Sequence, residues 1–187
     1  QTIVQQFLVV TKLKDRKKLN DSPFGLDALM YGMRNDKNRA LVEDYARLIE
    51  LTGVTWTRDR VYFDNYVKKD GNNFTFSMPH TAVTGNLVND KGINVIMAMN
   101  LQPSLLREND YGEVIPTNLF DVYYFWKQLA EEYDGVVNCW EIQNEIDLGG
   151  GGSDKDGADV YSSMFKAAAL GIMDSDTVNE VFISLFG

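Results

Sequence analysis

A parallel α/β sheet wound from successive β/α units is the architecture this sequence predicts, and three observations predict it. Three times a helical pattern stops at a glycine and a β-branched run follows at once, at Leu51-Thr52-Gly53-Val54, Asp90-Lys91-Gly92-Ile93 and Tyr133-Asp134-Gly135-Val136. Glycine just past a helix end supplies the left-handed residue that closes the last turn. Short apolar runs alternate with the helical stretches, and after the first they start roughly forty residues apart, which suits a β/α unit with some loop elaboration. No Gly-x-Gly-x-x-Gly or phosphate-loop pattern follows the first run, so the dinucleotide-binding form of an open sheet loses support.

The first strand is expected over Phe24 to Leu29. A helix follows from about Lys37 to Thr52, with Asn35 or Asp36 as its cap and Leu41, Tyr45, Leu48 and Ile49 on one face. The second strand is expected over Val54 to Arg58, and a helical pattern closing at Gly92 leads into the third, Ile93 to Asn100. Asn118 or Thr117 caps the clearest helix, in which Leu119, Val122, Tyr123, Trp126, Leu129, Ala130 and Tyr133 recur at helical spacing and read as core. The fourth strand is expected over Val136 to Glu145, and residues 148–157 form a glycine-rich loop after it. Within that loop Gly149-Gly150-Gly151-Gly152-Ser153 reads either as a natural mobile loop or as a flexible engineered linker. A last helix from roughly Ala158 to Gly171 leads to a fifth strand, Val181 to Phe186.

Parallel strands joined by right-handed crossovers begin both an open sheet and a (β/α)8 barrel. A barrel takes about 250 residues, so the 187 residues here read as one partial TIM-barrel domain holding the first four to five strands.

Composition narrows the function. A chain with 44% hydrophobic and 24% charged residues is ordinary globular material. Twenty-seven acidic against eighteen basic residues leave a net charge of −9, which argues against a nucleic-acid or anionic-membrane partner. The single cysteine, Cys139, excludes an intramolecular disulfide and a thiolate metal cluster, and the single histidine, His80, leaves a zinc site or a Ser-His-Asp triad little to work with. No metal and no cofactor are expected. The apolar runs are too short and interrupted to span a bilayer. The chain opens on Gln rather than Met, so it is processed, truncated or begun at an internal residue; an export signal already removed fits this, and the expected location is then extracellular or periplasmic.

The chemistry concentrates at the end of the fourth strand. Residues two apart on a strand share a face, so Cys139, Glu141, Gln143 and Glu145 line one side and Asn138, Trp140, Ile142 and Asn144 the other. Glu145 stands at the strand's C-terminal end, where barrels keep their reacting groups, and is the candidate catalytic acid. Glu141 lies about 13 Å back at ~3.3 Å per residue, too far to share one sugar bond with Glu145, since such carboxylate pairs stand roughly 5 to 9.5 Å apart. Glu141 therefore reads as structural, paired deeper in the barrel, and the partner of Glu145 must come from another strand.

Trp140-Glu141-Ile142-Gln143-Asn144-Glu145 resembles the W-E-x-x-N-E signature that closes the fourth strand of clan A glycoside hydrolases, in which the last Glu is the general acid/base. Gly53-Val54-Thr55-Trp56-Thr57-Arg58 is similar to the second strand of that clan, whose arginine supports the nucleophile. The continuation Arg58-Asp59-Arg60-Val61-Tyr62-Phe63-Asp64 loosely resembles family 39, the β-xylosidases and their relatives. The resemblance runs from about Phe24 to Phe186. It implies a retaining hydrolase acting on O-glycosidic bonds of oligo- or polysaccharides. Glu145, its pKa raised toward neutrality in a partly dry cleft, would protonate the leaving oxygen and later deprotonate water. Asn144 would bond the sugar 2-hydroxyl; because pleating turns Asn144 away from Glu145, that role requires a twist or bulge at the strand end. Arg58 would hold the nucleophilic carboxylate by charge-assisted hydrogen bonds. Tyr62, Tyr66 or Trp56 would stack on sugar rings, and Asn100, with Asp64 and Gln102, would touch substrate.

Clan members take the nucleophile from a seventh strand, which lies outside this chain. Either the rest of the enzyme lies elsewhere, or a second chain or fragment completes the barrel, or the protein is not a hydrolase. Two rival readings stand beside the enzyme: a non-catalytic carbohydrate-binding or scaffold half-barrel, and an unrelated open α/β domain binding a small ligand, which helices on both faces of the sheet would support.

Overall fold

The computed structural model describes residues 24–28, 30, 39–61, 66–99, 106, 116, 118–144, 158–177 and 180–182. In chain order its elements are β1 (Gly25–Asp27), α1 (Arg39–Thr52), β2 (Trp56–Val61), β3 (Val67–Asp70), β4 (Asn73–Phe76), α2 (Pro79–Asn89), β5 (Asn94–Met99), α3 (Leu119–Glu132), β6 (Cys139–Glu141), α4 (Ala158–Met173) and β7 (Glu180–Phe182). The main sheet runs β1-β2-β5-β6-β7 with every neighbouring pair parallel. Strand order never reverses, so right-handed crossovers carry every connecting helix to the same face. A doubly wound sheet reverses its order and is covered on both faces. The chain therefore forms the opening β/α units of a TIM barrel, and the barrel is not closed among the described residues.

Gly53, Gly92 and Gly135 have φ of 77°, 68° and 71°, so each of the three predicted helix stops is made by a left-handed glycine. Of the two proposed caps for the long central helix, Asn118 takes the role: its Oδ1 accepts from the backbone N–H groups of Phe120 and Asp121. The expected face of α1 needs correction. Its buried stripe is Val42, Ala46 and Ile49, while Leu41 and Leu48 are exposed. Residues 42, 46 and 49 keep the i, i+4, i+7 spacing that a single stripe needs. Leu41 and Leu48 sit one step aside from it.

The β3–β4 hairpin was not foreseen. Its signal is Gly71-Asn72, the two-residue turn that separates β3 from the alternating run Asn73-Phe74-Thr75-Phe76, with Gly71 at φ 57°. The hairpin lies on α3. Phe74 and Phe76 set their rings edge-on against Phe125 at 5.4 and 5.5 Å, and Gln128 accepts from the Phe74 N–H and donates to the Asn72 carbonyl. Two glycines allow close approach elsewhere. A Cβ at Gly85 would meet Val136 Cγ1 at 2.5 Å, and one at Gly171 would collide with the Tyr123 carbonyl where α4 crosses α3.

Two further expectations shift. The second strand starts at Trp56 and continues to Val61, past the expected Arg58. The fourth strand, expected to run unbroken from Val136 to Glu145, is regular only over Cys139–Glu141. At its start Val136 and Val137 still close the turn after α3, with both N–H groups bonded to the Tyr133 carbonyl; at its end the reason lies in Gln143, taken up below. The glycine-rich loop expected over 148–157 lies outside the described residues.

Candidate functional site at the strand ends

The two faces of the sheet differ in kind. On the face under the helices, register aligns Thr57 with Val95, Asp59 with Met97 and Trp140, and Val61 with Met99. All of these are buried. The opposite face carries Asp27 beside Arg58, Ile96 and Cys139, and one row further on Arg60 beside Ala98 and Glu141. There the strands place two arginines and two carboxylates, whereas on the helix face Asp59 is the one charged group among these aligned residues.

Arg58 is the hub of that face. Its Nε donates to Glu141 Oε2 at 2.5 Å and its Nη2 to Glu141 Oε1 at 2.6 Å, a two-pronged grip across the width of β5. Nη2 also donates to Asn144 Oδ1 at 2.5 Å, and Nη1 donates to Asp27 Oδ2 at 2.9 Å. Four of the five guanidinium N–H groups are thus engaged, and the fifth, on Nη1, has no partner among the described residues. Arg60 grips Asp27 with both terminal nitrogens, at 2.6 and 2.7 Å. Two arginines therefore face two carboxylates, and the cluster is close to neutral.

Each charge is tuned by the others. The hydrogen bonds to Glu141 raise the Arg58 pKa above its ordinary value although burial works against the charge. Burial tends to raise the Asp27 carboxyl, but the bonds and charges of Arg60 and Arg58 outweigh it and hold its pKa below the usual value. Tyr161 of α4 donates to the Ile142 carbonyl, and burial, helped by the negative charge of Glu141, pushes its phenol up to about 12.

Asn144 reaches Arg58 because β6 does not end as a plain strand. Gln143 has φ 72°, the one left-handed non-glycine among the described residues. The Asn144 N–H bonds the Met99 carbonyl at 2.9 Å, where an unbroken ladder, continuing from Ala98 opposite Glu141, would deliver the N–H of Gln143. This one-residue bulge reverses the alternation. The expectation that Asn144 lies on the Trp140 side is therefore corrected, for it shares Arg58 with Glu141. The local bulge on which its proposed role depended is present.

Of the predicted site residues, the structure brings Arg58 and Asn144 together. Glu145, Tyr62 and Asn100 lie outside the described residues, as do Asp64 and Gln102. Trp56 is half-buried on the face of Arg58, whereas Tyr66 packs against the hydrophobic core. Glu141 is buried and paired, and Arg58 is part of a network rather than a lone surface ion pair. Sequence reading missed Arg60 and Asp27. Arg60 was findable, since it stands two residues after Arg58 and shares its face; Asp27 closes a three-residue strand too short to show a period. A cavity of about 540 Å³ lies between α3 and α4, lined by helix residues such as Phe120, Tyr124 and Leu170 and by none from the sheet. It is separate from this cluster. Among the described residues no three His, Cys, Asp or Glu side chains converge as a metal site requires, and no helix is long and apolar enough to cross a membrane.

No family sequence profile and no curated protein sequence matches this chain. Solved structures do. Thermotoga maritima Cel5A in complex with cellobiose superposes with a TM-score of 0.60 at 15% identity, over 85% of this chain and 50% of that one. A family 39 glycoside hydrolase from Bacteroides cellulosilyticus WH2 gives 0.55 at 18% identity, over 76% and 28%. The hyperthermophilic β-glucosidase from Pyrococcus furiosus gives 0.55 at 13%, over 78% and 43%. The chain thus spans half or less of each neighbour. At these identities the likeness establishes the fold, a partial TIM barrel shared with glycoside hydrolases.

Proposed function

We propose that this chain is the sugar-binding, acid/base half of a retaining glycoside hydrolase, acting on O-glycosidic bonds of oligo- or polysaccharides, with Glu145 as general acid/base. One observation carries the reading. Arg58 and Glu141 gather Asn144 at the C-terminal end of β6, immediately before Glu145 and on the face that the helices leave uncovered. Barrel enzymes collect their reacting groups at that end of the strands. Among the described residues Arg58 retains one N–H for a further acceptor, and the nucleophilic carboxylate that retention requires would be that acceptor. On this face of the described sheet Asp27 and Glu141 are already held by arginines, and the proposal places the nucleophile on a strand outside this chain.

The partner that brings it is three further β/α units, as the continuation of the same polypeptide or as a second fragment. Large exposed apolar side chains stand on the elements at the two ends of the sheet: Phe24 and Leu26 of the first strand segment and Leu41 and Leu48 of α1 at one, Val160 and Met173 of α4 at the other.

The 187 residues alone are expected to bind cellotriose weakly and to show negligible turnover of aryl glycosides. When the complementary units are supplied, hydrolysis appears, and Glu145→Gln lowers it by about 10²- to 10⁴-fold for substrates whose leaving group needs protonation. Robust turnover by the purified monomer refutes the half-site assignment. Full activity of the completed Glu145→Gln protein refutes the role of Glu145.

A further inference from the structure

We infer that Glu141 is a positioning residue: acting through Arg58, it locks the Asn144 side chain so that its amide protons, and not its oxygen, are offered to a ligand. The inference rests on the sugar-site reading above for the identity of that ligand.

The chemistry settles which way the amide faces. Arginine has no acceptor, so the atom of Asn144 that lies 2.5 Å from Arg58 Nη2 is its oxygen. Nδ2 is then the end left over, and among the described residues it has no partner. The same Nη2 bonds Glu141 Oε1 at 2.6 Å, while Nε bonds the other Glu141 oxygen. Two parallel bonds fix the plane of the guanidinium as well as its position. Glu141 is fit for this task because it is buried, whereas Asp27, the other carboxylate on Arg58, is 41% exposed and shared with Arg60. Without Glu141 the guanidinium is free to swing toward Asp27 and abandon Asn144.

The backbone supports the same conclusion. The Asn144 N–H is tied to Met99, and the residue before it sits at a φ that an L side chain adopts at a cost. Gln143 is also fully buried, with neither amide atom partnered among the described residues. A strained backbone and an unsatisfied buried amide persist where the surrounding structure over-determines them, and such sites cluster where geometry serves a ligand. Here the bulge sets the position of the Asn144 Cα, and the bond to Arg58 removes its remaining side-chain freedom. The ligand group that meets Asn144 must accept a hydrogen bond, as a sugar hydroxyl does through its lone pairs.

The test uses ¹⁵N-labelled full chain and cellotriose as the probe. In the unaltered protein the Arg58 Nε–H and the two Asn144 Nδ2 protons should give separate, slowly exchanging signals, and cellotriose should shift the Asn144 pair. In Glu141→Gln the Arg58 Nε–H signal should be lost to exchange, the Asn144 protons should broaden toward an average, and cellotriose should bind about fivefold more weakly, the worth of a single hydrogen bond. Asn144→Asp should weaken cellotriose similarly while keeping the Arg58 signal, because the oxygen facing Arg58 remains. If Glu141→Gln fails to fold, Arg58→Lys retains the charge pair but loses the fork, and it should free the Asn144 amide in the same way. Asn144 protons that stay sharp and unshifted in the folded variant overturn the positioning role. An unaltered protein whose Asn144 amide is locked but which ignores cellotriose supports the positioning role and overturns the sugar reading.

Discussion

The two faces of β2 solve opposite problems with alternate residues of one strand. Thr57, Asp59 and Val61 are buried under helices, while Trp56, Arg58 and Arg60 are only half-covered. The helix face is held by packing. Trp126 of α3 meets Phe125 and Trp140 edge-on at 5.8 Å each, with no exposed surface. The other face is held by hydrogen-bonded charge, which contributes less to net stability because the desolvation of each ion offsets much of the attraction. Geometry is what a charged network supplies. The helix face should therefore govern whether the chain folds, and the inner face what it binds.

The sharpest way to break that division is to cut each face in turn. Trp126→Ala removes a fully buried ring and should cost about 3–5 kcal/mol, read as a lower urea midpoint at unchanged slope, while any remaining folded protein keeps the Asn144 and Arg58 signals. Glu141→Ala should fall at the low end of what breaking a buried pair costs, about 3 kcal/mol, since Arg58 keeps Asp27 as a partner when its buried one is gone. Replacing both members, Arg58→Met with Glu141→Leu, should recover most of that loss without recovering cellotriose binding. A double variant that stays as unstable as Glu141→Ala would mean that the network also holds the fold, and the contrast between the faces would fail.

That contrast also explains what was legible in the sequence. Burial under helices imposes periods of 3.6 and 2, so the 119–132 stripe and the order of parallel strands could be read directly. Glycines at Gly53, Gly92 and Gly135 announced themselves because only a residue without a Cβ fits the left-handed stop cheaply. The candidate site was legible as a motif and not as a geometry. Gln143 breaks the alternation with a conformation that glutamine does not advertise, so pleating assigned Asn144 to the wrong side. Glu141 is buried and paired as its reading expected, but its partner Arg58 was not named, because a bond between residues 83 positions apart follows from strand order rather than from local pattern. The β3–β4 hairpin was a different kind of miss, since the Gly71-Asn72 turn signal was present and outweighed by the expectation of a simple β/α unit.

The smallest effects come from titration, and they fall on opposite limbs of the pH scale. Burial pushes the Tyr161 phenol up to about 12 from its ordinary 10.0. In that interval the folded chain keeps a proton that the unfolded chain has lost, so stability falls as pH rises. The stabilisation Tyr161 contributes is whole below pH 10 and is lost on the way to 12. The stability difference between the unaltered protein and Tyr161→Phe should accordingly narrow from pH 8 to pH 11.5, measured by urea midpoints. Asp27 works the other way. Its folded pKa lies below 3.8, so its contribution is present above that value and drains as pH falls through the lower one, and the gap to Asp27→Asn should close only in that acid range. Because Asp27 is far more exposed than Tyr161, solvent screens it and its slope should be the shallower of the two. An Asp27 slope steeper than that of Tyr161 would place the inner face deeper in low dielectric than its exposure allows, and would reverse the ranking of the two faces.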